Sequence, residues 1–299
     1  MDFRLTEDQR ALRRGVRELL ARLFDREALR SAVDSPLLDR ELWRELGDAG
    51  FFSLRLPEAE GGAGLGLPEA VLLFEEAGRV LLPGPLVATH VAAGVVPGAA
   101  EGAVVVTDAS EGLVPWLDEA DVVLGEAGGA VPVRSVDPLT PLHRVPGTGP
   151  RAHPSRPAER LPTTEAAEAV LLTAAEQVGS ADATTGTAVS HARTRTQFGQ
   201  VIGGFQAVKH LCAGMLVRTE LARAAVWAAS VTGDPVEIAG AKLLADEAAV
   251  GNARDCLQVH GGMGFTWEAD VHLHLKRAWV RAELRMPAAR AEETVAAAL

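Results

Sequence analysis

The C-terminal half of the chain constrains the fold most. It reads as long helical runs broken only by short turns, and two of those turns are unusually rich in glycine and in side-chain donors. The first is Arg195-Thr-Gln-Phe-Gly-Gln-Val-Ile-Gly-Gly-Phe-Gln-Ala-Val-Lys-His210, and the second is Gln258-Val-His-Gly-Gly-Met-Gly-Phe265. Each sits where one helical pattern stops and the next starts. The spacing predicts helices over about 165–193, 204–231 and 235–260, and a last one from near Trp267 to just before Pro287, followed by a short Ala/Glu tail. Within the second helix Phe205, Val208, Cys212, Met215 and Thr219 keep the spacing of a buried stripe. Pro235 suits a first helical position and Gly261 a helix stop. Helices this long, joined by turns this short, pack as an antiparallel bundle.

The first hundred residues are helical as well. Thr6 and Gln9 form a capping box ahead of Leu12, Val16, Leu19, Leu20 and Leu23, which share one face. Leu42, Leu46 and Ala49 carry a second pattern up to Gly50, and Pro68 to Leu82 a third, closed by Pro83-Gly-Pro85. The loop Pro57-Glu-Ala-Glu-Gly-Gly-Ala-Gly64 resembles a phosphate cradle, but no Gly-Lys-Ser/Thr follows it, so it reads as a plain turn. From Glu101 the texture changes. Ala103–Thr107, Asp121–Leu124 and Ala130–Val133 are short β-branched runs, and 137–162 reads as a Pro/Arg-rich linker with one more strand near Leu142–Val145. The expected fold is therefore mainly α with a small central β segment: a helical domain over 1–100, a shortened β-domain and linker over 101–160, and a four-helix bundle over 161–299.

Charge and composition exclude several function classes. A net charge of −11 without a basic stripe argues against a nucleic-acid partner. The polar, acidic start is unlike a signal peptide, and the apolar run Ala92–Thr107 is broken by Pro97, Gly98 and Glu101, so no membrane partner is expected. Cys212 and Cys256 fall inside helical patterns and read as structural thiols, which points to the cytoplasm. Tyrosine is absent, removing one common hydrogen-bonding side chain.

An Arg at a helix end, followed by Thr and Gln, offers a cation and neutral hydrogen bonds that complement a pyrophosphate, and glycines let backbone N–H groups approach it. With the second turn, this segment resembles the C-terminal half of the acyl-CoA dehydrogenases, flavoenzymes that desaturate acyl-CoA thioesters. The resemblance implies FAD as cofactor, held across a subunit boundary through its diphosphate–adenosine half by Arg195, Gln197, Phe198, Gln206, Gln258, Gly261 and Gly262. It also implies a central β-barrel about twice the length of this β segment. The Thr-Glu-Pro-x-Ala-Gly-Ser-Asp and Trp-Ile-Thr strands that face the flavin ring in the family are replaced here by Val106-Thr-Asp-Ala-Ser110 and Asp121-Val-Val-Leu-Gly125.

Desaturation needs a carboxylate to take the α-proton of the thioester. The two positions where the family carries that base fall at Ala169 and Arg285, and neither is a carboxylate. Glu176, seven residues beyond Ala169 and on nearly the same helix face, is the best substitute; Glu168 and Glu283 read as solvated charges. His272 and His274 are two apart on a helix, point to different sides and do not form a chelating pair, so no metal is expected.

The segments Ala174-Ala-Glu-Gln-Val-Gly179 and Asp137-Pro-Leu-Thr-Pro-Leu-His143 look like the short subunits of heteromeric acyl-CoA dehydrogenases of actinobacterial steroid (cholesterol) side-chain catabolism. That likeness implies an acyl-CoA substrate, a longer acyl-CoA dehydrogenase subunit as partner in a two-plus-two assembly, and an electron acceptor such as electron-transfer flavoprotein. Two other readings stay open at this point: a self-sufficient homo-oligomer, doing desaturation or a flavin-independent dehydration, and a non-catalytic stabilising subunit.

Overall fold

The computed structural model describes residues 4–146 and 163–299. The second part of the expected linker lies outside the described residues. At the N-terminus α1 (Glu7–Leu23), α2 (Arg26–Asp34) and α3 (Arg40–Asp48) are each started by a side-chain cap. Thr6 and Gln9 form the reciprocal capping box, and Asp25 and Asp39 accept from the first-turn N–H groups of α2 and α3. Helices α4 (Leu67–Arg79) and α5 (Leu86–Ala92) complete this block.

Five short strands follow: β1 (Val106–Asp108), β2 (Leu113–Pro115), β3 (Val122–Leu124), β4 (Val131–Val133) and β5 (Leu142–Arg144). β1 pairs in parallel with β3, and β5 lies between β2 and β4 in an antiparallel sheet. The first strand begins later than the sequence pattern suggests, and β2 had no β-branched run to mark it.

The C-terminal block is built on α6 (Thr163–Thr194), the tight hairpin of β6 (Thr196–Gln197) and β7 (Gln200–Val201), α7 (Gln206–Thr232) and α8 (Pro235–His260). It closes with α9 (Val271–Glu283) and α10 (Ala288–Ala296). Helices α6 to α9 pack as the expected four-helix bundle. α7 stops at the left-handed Gly233, and Asp234 with Pro235 starts α8. α6 is the central helix: every residue from Ala169 to Ala181 is buried, because it packs on α4 as well as on α7 and α8. The crossing with α4 is backbone-close at two glycines. A Cβ at Gly179 would lie 1.8 Å from the carbonyl oxygen of Glu75, and one at Gly78 would lie 2.0 Å from that of Glu176.

Two helix boundaries depart from the sequence reading. The last long helix starts at Val271 rather than near Trp267. The preceding turn is held instead by Arg30, which donates to the Trp267 carbonyl at 2.7 Å, and by Arg26, which bonds Asp270 at 2.6 Å. The expected Ala/Glu tail is helix α10, started after Pro287 and anchored on α8 by the fully buried Ala291. Good intrinsic helix formers need only a modest apolar contact to fold onto a neighbour.

Candidate functional site

Both glycine turns lie at the same end of the bundle. Helix α6 is extended by Arg195, whose N–H donates to the His191 carbonyl at 2.9 Å, and the chain then turns back sharply. Phe198 (φ 53°) and Gly199 (φ 79°) both take positive φ, the signature of the type I′ turn whose twist suits a two-residue hairpin. Phe198 is an aromatic residue in a region that favours glycine; it is 90% exposed, and its ring meets Phe205 edge-on at 6.2 Å. Gly203 lets the returning chain lie against α6; a Cβ there would sit 2.8 Å from the Ala192 carbonyl oxygen.

The second turn forms as α8 ends at His260 and Gly261 (φ 62°) redirects the chain into a 3-10 turn, Gly261–Phe265. Gly264 folds back on the last turn of α8, where a Cβ would meet the Leu257 carbonyl oxygen at 3.0 Å. Two features join the turns. The imidazoles of His191 and His260 stack at 4.0 Å with 21° between their planes. Beneath them Ala188, Ala192, Met215, Cys256 and Leu257 form one apolar cluster, against which Ile202 packs.

The residues singled out from the sequence are therefore gathered on one surface. Arg195, Gln197, Phe198, Gln206, Gln258, Gly261 and Gly262 are all exposed. The Arg195 guanidinium has no partner among the described residues, and the space above Gly261 and Gly262 is open, with no heavy atom within 4 Å of an added Cβ. This donor set fits a diphosphate and its adenosine: a guanidinium, amide donors, and bare backbone where a flat ligand can approach.

The expected base positions lie elsewhere, and one of them, Arg285, lines a cleft between α5, the β segment, α6 and α9. It encloses about 660 Å³, open mouth included. Ala169 is fully buried in α6 and does not line it. Arg285 does, and its Nη1 donates to Asp108 Oδ2 at 2.9 Å. The other oxygen of Asp108 accepts from the Ser110 N–H at 2.9 Å. In the strand that would face a flavin ring, Asp108 is thus committed to an ion pair. Glu176 also lines the cleft and is buried, accepting from Arg281 Nη2 at 2.7 Å. Burial pushes the Arg281 guanidinium down to about 10, with Glu176 opposing the shift. One turn earlier on α9, Arg277 is paired with Asp137 and donates to the Leu82 and Leu139 carbonyls.

Arg277, Arg281 and Arg285 therefore form a row that ties α9 and the chain just beyond it to the β segment and to α6. Their four-residue spacing is visible in the sequence, but the carboxylates they bind are far away along the chain. Two smaller readings change or gain detail. Glu168 is not a solvated charge; it is paired with Arg55, which donates to it at 2.9 Å. His272 stacks on Trp267, whereas His274 bonds Ser180 at 2.8 Å, so the two rings do diverge.

Comparison with known proteins shows the family. The family model for the acyl-CoA dehydrogenase N-terminal domain matches residues 6–102, and that for the C-terminal domain matches residues 163–285. The chain belongs to the acyl-CoA dehydrogenase family. Acyl-CoA dehydrogenases are FAD-dependent oxidoreductases acting on CH–CH bonds. The acyl-CoA dehydrogenase IpdE2 of Mycobacterium tuberculosis is 35% identical over 304 residues, covering 93% of each chain. The acyl-CoA dehydrogenase FadE34 of the same organism is 37% identical over 80% of this chain but only 39% of its own length. Among solved structures, a chain of the ChsE4–ChsE5 complex from M. tuberculosis superposes with a TM-score of 0.83 at 23% identity, over 99% of this chain and 98% of the other. The Tcur3481–Tcur3483 steroid acyl-CoA dehydrogenase does so with a TM-score of 0.83 at 23% identity, over 97% of each chain. At that identity the superpositions speak for the fold.

Proposed function

We propose that this chain is one subunit of a flavin-dependent acyl-CoA dehydrogenase whose active site is completed by a longer partner subunit of the same fold. One contrast supports the reading. The donor-rich surface at the bundle end is open, whereas the chain's own cleft carries an Arg285–Asp108 ion pair where the family places a base. Arg195, Gln197, Gln206, Gln258, Gly261 and Gly262, with Phe198 at the hairpin tip, hold the diphosphate and adenosine from outside. When bound, FAD supplies the acceptor for the hydride that leaves the β-carbon of the acyl chain. Arg285 cannot take the α-proton, since a guanidinium stays protonated at any working pH. Glu176 is held by Arg281, so the base is a carboxylate of the partner. The chain divides at about residues 100 and 160, and the short middle segment leaves the ring contacts to that partner.

The likeness to IpdE2 supports, as substrate, a steroid side-chain-like acyl-CoA, desaturated between its α and β carbons, with the electrons passed on to an acceptor such as electron-transfer flavoprotein. Among the described residues no helix is long and apolar enough to cross a membrane, in keeping with a cytoplasmic site of action. Co-expression with a longer acyl-CoA dehydrogenase-like subunit, followed by sizing and flavin quantitation, tests the reading. It expects a two-plus-two assembly with one FAD per pair of unlike chains. A lone homo-oligomer holding one FAD per chain and active on an acyl-CoA overturns it.

A further inference from the structure

The stacked histidines have no role in the reading above. His191 lies four residues before Arg195 on α6, and His260 directly precedes Gly261, so both rings sit within the diphosphate–adenosine surface. Both also stand at helix C-termini, where the peptide dipoles present partial negative charge and disfavour a bound anion. An imidazolium beside Arg195 would offset that partial negative charge. Nδ1 of His260 lies 2.8 Å from the Cys256 carbonyl oxygen, which can only accept, so Nδ1 carries the proton. In the neutral ring Nε2 is then a bare acceptor and repels a phosphate oxygen. His191 makes no side-chain hydrogen bond among the described residues.

We propose that His191 and His260 belong to the diphosphate site and together take up one proton from solvent for each diphosphate bound. This rests on the FAD half-site reading and extends it to two residues. Two imidazolium rings stacked at 4.0 Å repel each other, so without an anion the pair does not hold two protons. The surroundings of His191 do not favour its protonation either. Burial, then His260, then Arg195 hold the His191 imidazole below its ordinary value. From α8 the pair faces the Cys256 thiol, which burial pushes up to about 12 and keeps neutral. On α7, Cys212 packs against the same apolar cluster and is likewise raised by burial, and Asp255 on α8 is already paired with Arg218. A diphosphate reverses the balance, favouring an imidazolium that donates to it. By linkage, affinity is then highest at low pH and falls as pH rises through the range between the free and bound imidazole values.

The test uses ADP-ribose and FAD, whose internal diphosphates do not titrate near neutrality, and the FAD-stripped full chain with any partner that purifies with it. Affinity is measured between pH 6 and 8, and calorimetry in buffers of different ionisation enthalpy counts the protons bound. The expected result is affinity about tenfold higher at pH 6 than at pH 8, with proton uptake on binding. In His191→Gln and His260→Gln the pH dependence shrinks to less than about twofold and the uptake is lost or reduced. Binding that requires Arg195 but is flat with pH and takes up no proton overturns this inference alone. So does uptake that persists in both variants. Absence of ligand binding by the wild-type protein, or binding indifferent to Arg195→Ala, overturns the half-site reading and this inference with it.

Discussion

At the scale of single residues, the same side-chain type does opposite work in two places. Arg195 is exposed and has no partner among the described residues, so its charge is available to a ligand. Arg281 is buried and paired with Glu176, so its charge is spent inside the protein. Arg195→Ala is expected to weaken FAD binding by about 1.5–3 kcal/mol, the range for a charge-assisted hydrogen bond, or roughly ten- to hundredfold in a flavin-retention assay. Retention equal to wild type would remove Arg195 from the site. Glu176→Gln is expected to cost about 3 kcal/mol in urea denaturation, because it leaves the Arg281 guanidinium buried without a counter-charge. If the chain instead desaturates an acyl-CoA alone, turnover by that variant decides whether Glu176 is the base; unchanged turnover excludes it. The absence of a carboxylate at Ala169 and Arg285 was plain in the sequence. What replaced it was not, because Asp108 and Arg285 are distant in sequence and only folding makes them neighbours.

At the scale of elements, the long helices and their turns were legible because their signals are local. Caps, a proline at the start of α8 and glycines after α7 and α8 each act within one helical turn. The α4–α6 crossing was not legible. Nothing local marks Gly78 and Gly179, yet each gives the other helix room for close backbone approach. Gly179→Ala drives a methyl into the Glu75 carbonyl, and is expected to lower the unfolding free energy by about 2–3 kcal/mol through overpacking. A calorimetric melt indistinguishable from wild type would show that the two helices separate easily. The start of α9 at Val271 was missed for a related reason: Arg26 and Arg30, from the far end of the chain, hold the preceding turn.

At the scale of the whole molecule, buried ionisable groups set the response to pH. Burial, reinforced by Arg281 and Arg277, holds His274 down at about 3, and burial alone dominates in holding His90 at about 4. Both folded-state values lie below the ordinary 6.5, so the unfolded chain binds more protons and stability falls as pH drops through the window from 6.5 toward 4. Each histidine contributes up to about 1.4 kcal/mol per pH unit there. Urea midpoints at pH 7, 6 and 5 should decline, and less steeply in a His274→Gln variant; a flat profile would mean that these rings meet water. Glu76 adds to the loss below 4.5. Burial works against its charge, but hydrogen bonds from Arg17 and Arg13 outweigh that and hold its carboxyl low. The sequence alone determined the helical order, the short β segment and the two donor-rich turns, because each depends on neighbours a few residues away. Only the tertiary structure decided that the turns share one surface through the His191–His260 stack, and that ion pairs occupy the other cleft. Those facts depend on residues far apart in the chain, and no local pattern encodes which distant charge or ring a side chain will meet.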